Sequence, residues 1–70
     1  MSTLEARLAE YAAQMDRVYA LCAAASDKRA DAMLLRREAE RADGWKAARF
    51  LRLADDLDAQ ADRMYREARR

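Results

Sequence analysis

The chain has no histidine and no proline, and only one glycine, one cysteine, one tryptophan and one phenylalanine in 70 residues. Without histidine there is no side chain poised to exchange protons near neutral pH, and no credible zinc site. The lone Cys22 excludes an internal disulfide, and as a nucleophile it would lack a base to activate it. A single glycine, Gly44, cannot make a phosphate-cradling loop. No run of alternating β-branched residues points to a strand. No stretch approaches the roughly 18 apolar residues of a membrane span, and the opening segment carries Glu5 and no apolar run, unlike a signal peptide. The formal net charge is +1, so no global field recruits nucleic acid or a membrane surface. Together these absences predict a protein that is not an enzyme, with no cofactor, no metal and no membrane association. A reduced thiol without an export signal predicts a cytoplasmic location.

What is present is helix-forming sequence. Alanine fills 18 positions, and leucine, arginine and glutamate supply much of the rest. Two runs keep a seven-residue apolar repeat. The first is Leu4, Leu8, Tyr11, Met15, Val18 and Cys22, mostly large residues; the second is Ala47, Phe50, Ala54, Leu57, Ala61, Met64 and Ala68, with alanine at every other position. Spacings of three and four put each set on one helix face. Small side chains in the second run allow a close, antiparallel neighbour.

Ser2-Thr3-Leu4-Glu5 fits a capping box that starts a first helix. Ser26 and Asp27 are the next N-cap candidates, and Asp43-Gly44 is a turn dipeptide. A second stripe of Ala32, Leu35, Ala39 and Ala42 falls out of phase with the run that begins at Ala47, so a break at Gly44 is expected. The fold class read from these signals is all-α, a single domain spanning 1–70. Its architecture is a small antiparallel three-helix bundle with helices at about 3–24, 28–42 and 45–69. The alternative is a long helical hairpin that dimerises. With the turn at Gly44, residues of the last two helices face one another where their numbers sum to about 88, which sets Lys28 and Arg29 opposite Asp58 and Asp62. The stretch from Ala42-Asp43-Gly44 through Ala47 and Leu51 to Ala54 resembles the second half of a tetratricopeptide unit. Asp31 and Glu38 stand where that family has a tryptophan and a tyrosine, so no function is carried over.

Charge is segregated along the chain. Residues 28–52 hold eight basic and four acidic side chains, whereas 53–62 hold Asp55, Asp56, Asp58 and Asp62 and no base. Hard cations favour several carboxylates, but one helix face cannot surround an ion, so the acidic run reads as a strip facing basic residues. Arg37, Arg41, Lys46, Arg49 and Arg52 gather at the Gly44 end with Trp45 among them, and arginine and tryptophan are enriched where protein interfaces concentrate their energy. These six are the candidate partner-binding residues. Trp45 is also expected to plug the bundle end over Leu34 and Leu35. Arg63, Arg66, Arg69 and Arg70 suit the last turn of a helix, where cations meet free carbonyls.

The function this predicts is a small non-catalytic protein-interaction module, an adaptor or inhibitor of a larger protein or assembly. Free-standing chains of this size are common in phage and plasmid genomes, anti-CRISPR inhibitors among them, and twelve arginines against two lysines fit a GC-rich bacterial or phage source. A nucleic-acid binder using the arginine cluster is the alternative; Glu38, Glu40 and Asp43 within that region and a pI of 7.9 weigh against it. A structural self-assembly element, pairing seams between chains as a homo-oligomer, is the third reading.

Overall fold

Nothing between Thr3 and Arg41 stops a helix: that span has neither glycine nor proline and is rich in alanine. In the computed structural model, which describes residues 3–70, it forms one helix, α1 (Thr3–Arg41). Glu5 sits in its first turn and Arg41 in its last, each at the end where its charge complements the helix dipole. The amide of Ala42 donates to the carbonyls of Glu38 at 3.1 Å and Ala39 at 3.3 Å, closing the final turn. Asp43 and Gly44 then reverse the chain. Gly44 has φ 61° and ψ −130°, a combination that residues with a Cβ rarely adopt. A Cβ added there would meet no atom within 4 Å. Glycine is needed for backbone conformation, not for space.

The returning helix, α2 (Trp45–Ala68), completes an antiparallel hairpin of two helices. The three-helix bundle is therefore corrected to an extended two-helix hairpin. The break at Gly44 is present; the break near residues 25–27 is not, and Ser26 and Asp27 are exposed residues inside α1. The radius of gyration is 18.0 Å and the extents are 64 × 15 × 11 Å. A globular chain of this length would have a radius near 11 Å, so the molecule is a rod. The Ser2 half of the capping box lies outside the described residues.

The interior consists of alanine. Ala25, Ala32, Ala39, Ala54, Ala61 and Ala68 are the buried residues, four of them wholly inaccessible, and no larger side chain is fully covered. Each triplet repeats every seven residues. Ion pairs across the hairpin join Arg29 to Asp62, and Arg36 to Asp55 and Asp58, so facing residue numbers sum to 91–94 rather than 88. In that register Ala25 lies opposite Ala68, Ala32 opposite Ala61 and Ala39 opposite Ala54. Helix axes pack 8–10 Å apart depending on the side chains between them, and alanine on both sides favours the near end. Phe50, Leu57 and Met64, the large members of the α2 seam, are half-buried between the alanine layers.

The seam of α1 has one phase along its whole length. Leu4, Leu8, Tyr11, Met15, Val18 and Cys22 continue at the same three-and-four spacing through Ala25, Arg29, Ala32, Arg36 and Ala39. Only the second part is covered, because α2 ends at Ala68, opposite Ala25. The 22 residues of α1 before Ala25 extend about 33 Å at 1.5 Å per residue.

Candidate interaction surface

Three features of the surface follow from this architecture: a strip of ion pairs along the hairpin, a basic and aromatic end at the turn, and an apolar arm.

The strip forms because Arg29 and Arg36 occupy seam positions of α1. Their aliphatic stems can lie along the helix interface while the guanidinium groups reach its edge. Arg36 Nη2 donates to Asp58 Oδ2 at 2.6 Å and to Asp55 Oδ1 at 3.2 Å. Arg29 Nη2 donates to Asp62 Oδ1 at 2.7 Å, and its guanidinium carbon lies 4.9 Å from the centre of the Tyr65 ring. The hydrogen bonds that Arg36 donates to Asp58 and then to Asp55 hold its pKa above the ordinary value. A raised cationic pKa means that the stabilisation is complete below the unfolded guanidinium pKa. It fades only as pH rises through the folded one, so Arg36 keeps its charge across the physiological range. Lys28, expected opposite these carboxylates, forms no ion pair with them among the described residues; Arg36 takes Asp58 instead. Among the described residues no three acidic or thiol side chains gather as a metal site would require. Asp55, Asp58 and Asp62 of the acidic run are paired with arginines of the other helix.

At the turn, Trp45 is 70% exposed, and Leu34, which it was expected to cover, is exposed too, so the expected plug is corrected to a projecting ring. A hairpin of two helices has no bundle mouth for tryptophan to close. Trp45, Arg49 and Arg52 follow one another at helical spacing and line an open hollow with Ala48 and Leu53. A second hollow is lined by Trp45, Lys46, Arg49 and Phe50, and Lys46 Nζ stands 6.0 Å from the centre of the Trp45 ring. The structure thus brings together Trp45, Lys46, Arg49 and Arg52. Arg37 and Arg41 lie on the last turns of α1 and line neither hollow; Arg41 Nη1 is 3.9 Å from Glu38 Oε1. The pairing of Arg29 with Asp62 was legible in the sequence, whereas Arg36, beside Arg37 and on the seam, was not singled out. Its signal was arginine at a seam position with aspartates on the facing helix.

The arm leaves Leu4, Leu8, Tyr11, Met15 and Tyr19 exposed, with Val18, Leu21 and Cys22 half-buried. No helix among the described residues is long and apolar enough to cross a membrane. Comparison with protein-family models, curated proteins and solved structures gives no match.

Proposed function

We propose that the chain is a non-catalytic protein-interaction module, an adaptor or inhibitor that docks on a larger protein through the Trp45 end of the hairpin. One observation carries this reading: the fold hides only alanines and leaves its tryptophan and most of its large aliphatic side chains in solvent. Large apolar side chains left in solvent at one end, here Trp45 with Leu53 in the same hollow, are what an interaction site supplies. The charge arrangement supports an acidic partner. Asp55, Asp58 and Asp62 are engaged by Arg29 and Arg36 within the chain. Arg49 and Arg52 have no such carboxylate among the described ion pairs and flank the exposed indole. A tryptophan ringed by arginines has the composition of an interface hot spot, and basic charge around it steers an acidic surface into place.

The test is capture from lysate of the source organism on the tagged chain, with nuclease and high salt, beside Trp45→Ala and Arg49→Glu variants. A distinct protein retained through both treatments by the wild type and lost from both variants supports the docking role. Capture that disappears with nuclease assigns the arginines to nucleic acid instead. Capture unchanged by either substitution removes the Trp45 end from the proposal.

A further inference from the structure

The α1 seam does not end where α2 ends. From Ala25 to Ala39 it is covered by α2; from Leu4 to Cys22 it continues in the same phase with larger apolar residues and no covering helix among the described residues. Five heptads in one register are the signature of a coiled-coil face, and only the second half of this one is occupied within the chain.

We infer that the occupant of the first half is a second copy of the same arm, antiparallel, centred near Ala13. In that register Leu4 meets the partner's Cys22, Leu8 meets the partner's Val18, and Tyr11 meets the partner's Met15, each pair repeated by two-fold symmetry. Every layer is apolar. The edges match as well: Glu5 falls beside the partner's Tyr19, Arg7 beside the partner's Leu21, and Gln14 beside the partner's Gln14, so no like charges are opposed. Tyr19 and Leu21, apolar residues off the seam, are covered in this arrangement.

Continuity with the existing helix interface selects the direction and the register. Along α1, the layer after Ala25–Ala68 is the one at Cys22, which α2 is too short to reach. An antiparallel partner arm runs in the same direction as α2, and its Leu4 enters that next layer. The partner's arm therefore takes over the groove where α2 leaves off. There the basic end of α2, with Arg66, Arg69 and Arg70, meets the first turn of the partner's α1 and its Glu5. A shift of one heptad further would drive the partner's arm into α2, and one heptad back would leave layers empty. A parallel pair is disfavoured for the same reason: past Cys22 each α2 would occupy the space of the other α1. The dimer is a rod with a Trp45 end at each tip. Overlapping two 64 Å hairpins by the roughly 33 Å of the arm gives a length of about 95 Å. This inference is independent of what the Trp45 end binds, and either can fail without the other.

The experiment is sedimentation equilibrium with small-angle scattering on the intact chain over about 1 μM to 1 mM, repeated on a Tyr11→Glu/Met15→Glu double variant and on Leu4→Cys. Expected are twice the chain mass of 8.0 kDa and a maximum dimension near 95 Å. The double variant, with four carboxylates in the central layers, should need at least about 100-fold higher concentration to associate, while its circular dichroism stays helical. Leu4→Cys should oxidise to a covalent dimer through native Cys22 of the partner, whereas the wild type, its two Cys22 thiols about 27 Å apart along the rod, should not. A mass of 8.0 kDa at every concentration overturns the inference. So does a dimer indifferent to the two glutamates, or a dimer about as long as one hairpin that cross-links through Cys22 without substitution.

Discussion

The two halves of α1 share one helix and one heptad phase but differ in what fills the seam. Between Ala25 and Ala39, where α2 runs alongside, the positions alternate between alanine and arginine; between Leu4 and Cys22, where it does not, they hold leucine, tyrosine, methionine, valine and cysteine. Side-chain size tracks the distance at which a neighbour must approach. A helix returning from a three-residue turn is held near from the start, and alanine lets the two backbones close on one another. A helix from another chain has no such constraint. It gains more from large apolar side chains, which supply the area that drives association. Alanine at alternate seam positions accompanies intrachain packing, and the stretch of seam without alanine is the one α2 leaves uncovered.

That contrast is broken most severely by filling the alanine layers. Ala32→Leu or Ala61→Leu inserts a side chain where accessibility is 0%, and overpacking should cost about 1–3 kcal/mol in a denaturation midpoint. Ala13→Leu, on the exposed side of the arm, should stay within about 0.5 kcal/mol. Equal losses at both places would show that the hairpin is not organised around its alanines. Gly44→Ala comes next. A positive φ with a Cβ costs about 1–2 kcal/mol, and amide exchange should show the penalty at the adjoining ends of both helices. A third comparison uses concentration. At low micromolar concentration, amides of residues 5–20 should exchange faster than those of 26–38, and the difference should narrow as copies associate. The smallest effect belongs to the edge of the hairpin. Arg29→Ala removes an exposed ion pair, about 0–1 kcal/mol, together with its contact on Tyr65, and high salt should shrink the loss further.

Much of this fold was readable before any coordinates. The helical class follows from composition, the turn from Asp43-Gly44, and the alanine face of α2 from its spacing. The third helix was an error with a definite cause. Ser26 and Asp27 have good capping side chains, but a cap matters only where a helix has to begin, and Ala23-Ala24-Ala25 gives the preceding helix no reason to end. Arg29 and Arg36 concealed the continuity of the seam, since a search for apolar side chains skips a charged residue whose stem packs as an apolar one. The register of 88 assumed that the turn sits symmetrically between the helices. The alanine layers and the Arg–Asp pairs set it instead, and they do not refer to the turn. At the candidate site, the neighbourhood of Trp45, Lys46, Arg49 and Arg52 was legible because all four lie within two turns of one helix. Arg37 and Arg41 depended on the other helix and on the register, and the structure leaves them outside the hollows.

An interior built of alanine also changes how the chain can vary under mutation. Most protein cores suffer when a residue shrinks; this one has almost nothing left to lose and suffers when a residue grows. A single base change in an alanine codon yields valine, threonine, serine, proline, glycine, aspartate or glutamate. At Ala25, Ala32, Ala54 and Ala61, all inaccessible, two of these add β-branched bulk, two bury a charge, one removes a helical hydrogen bond and one loosens the backbone. Serine alone comes near to fitting. The hairpin is thus confined by the genetic code as well as by sterics, with few single-step neighbours that keep its helices at the same separation.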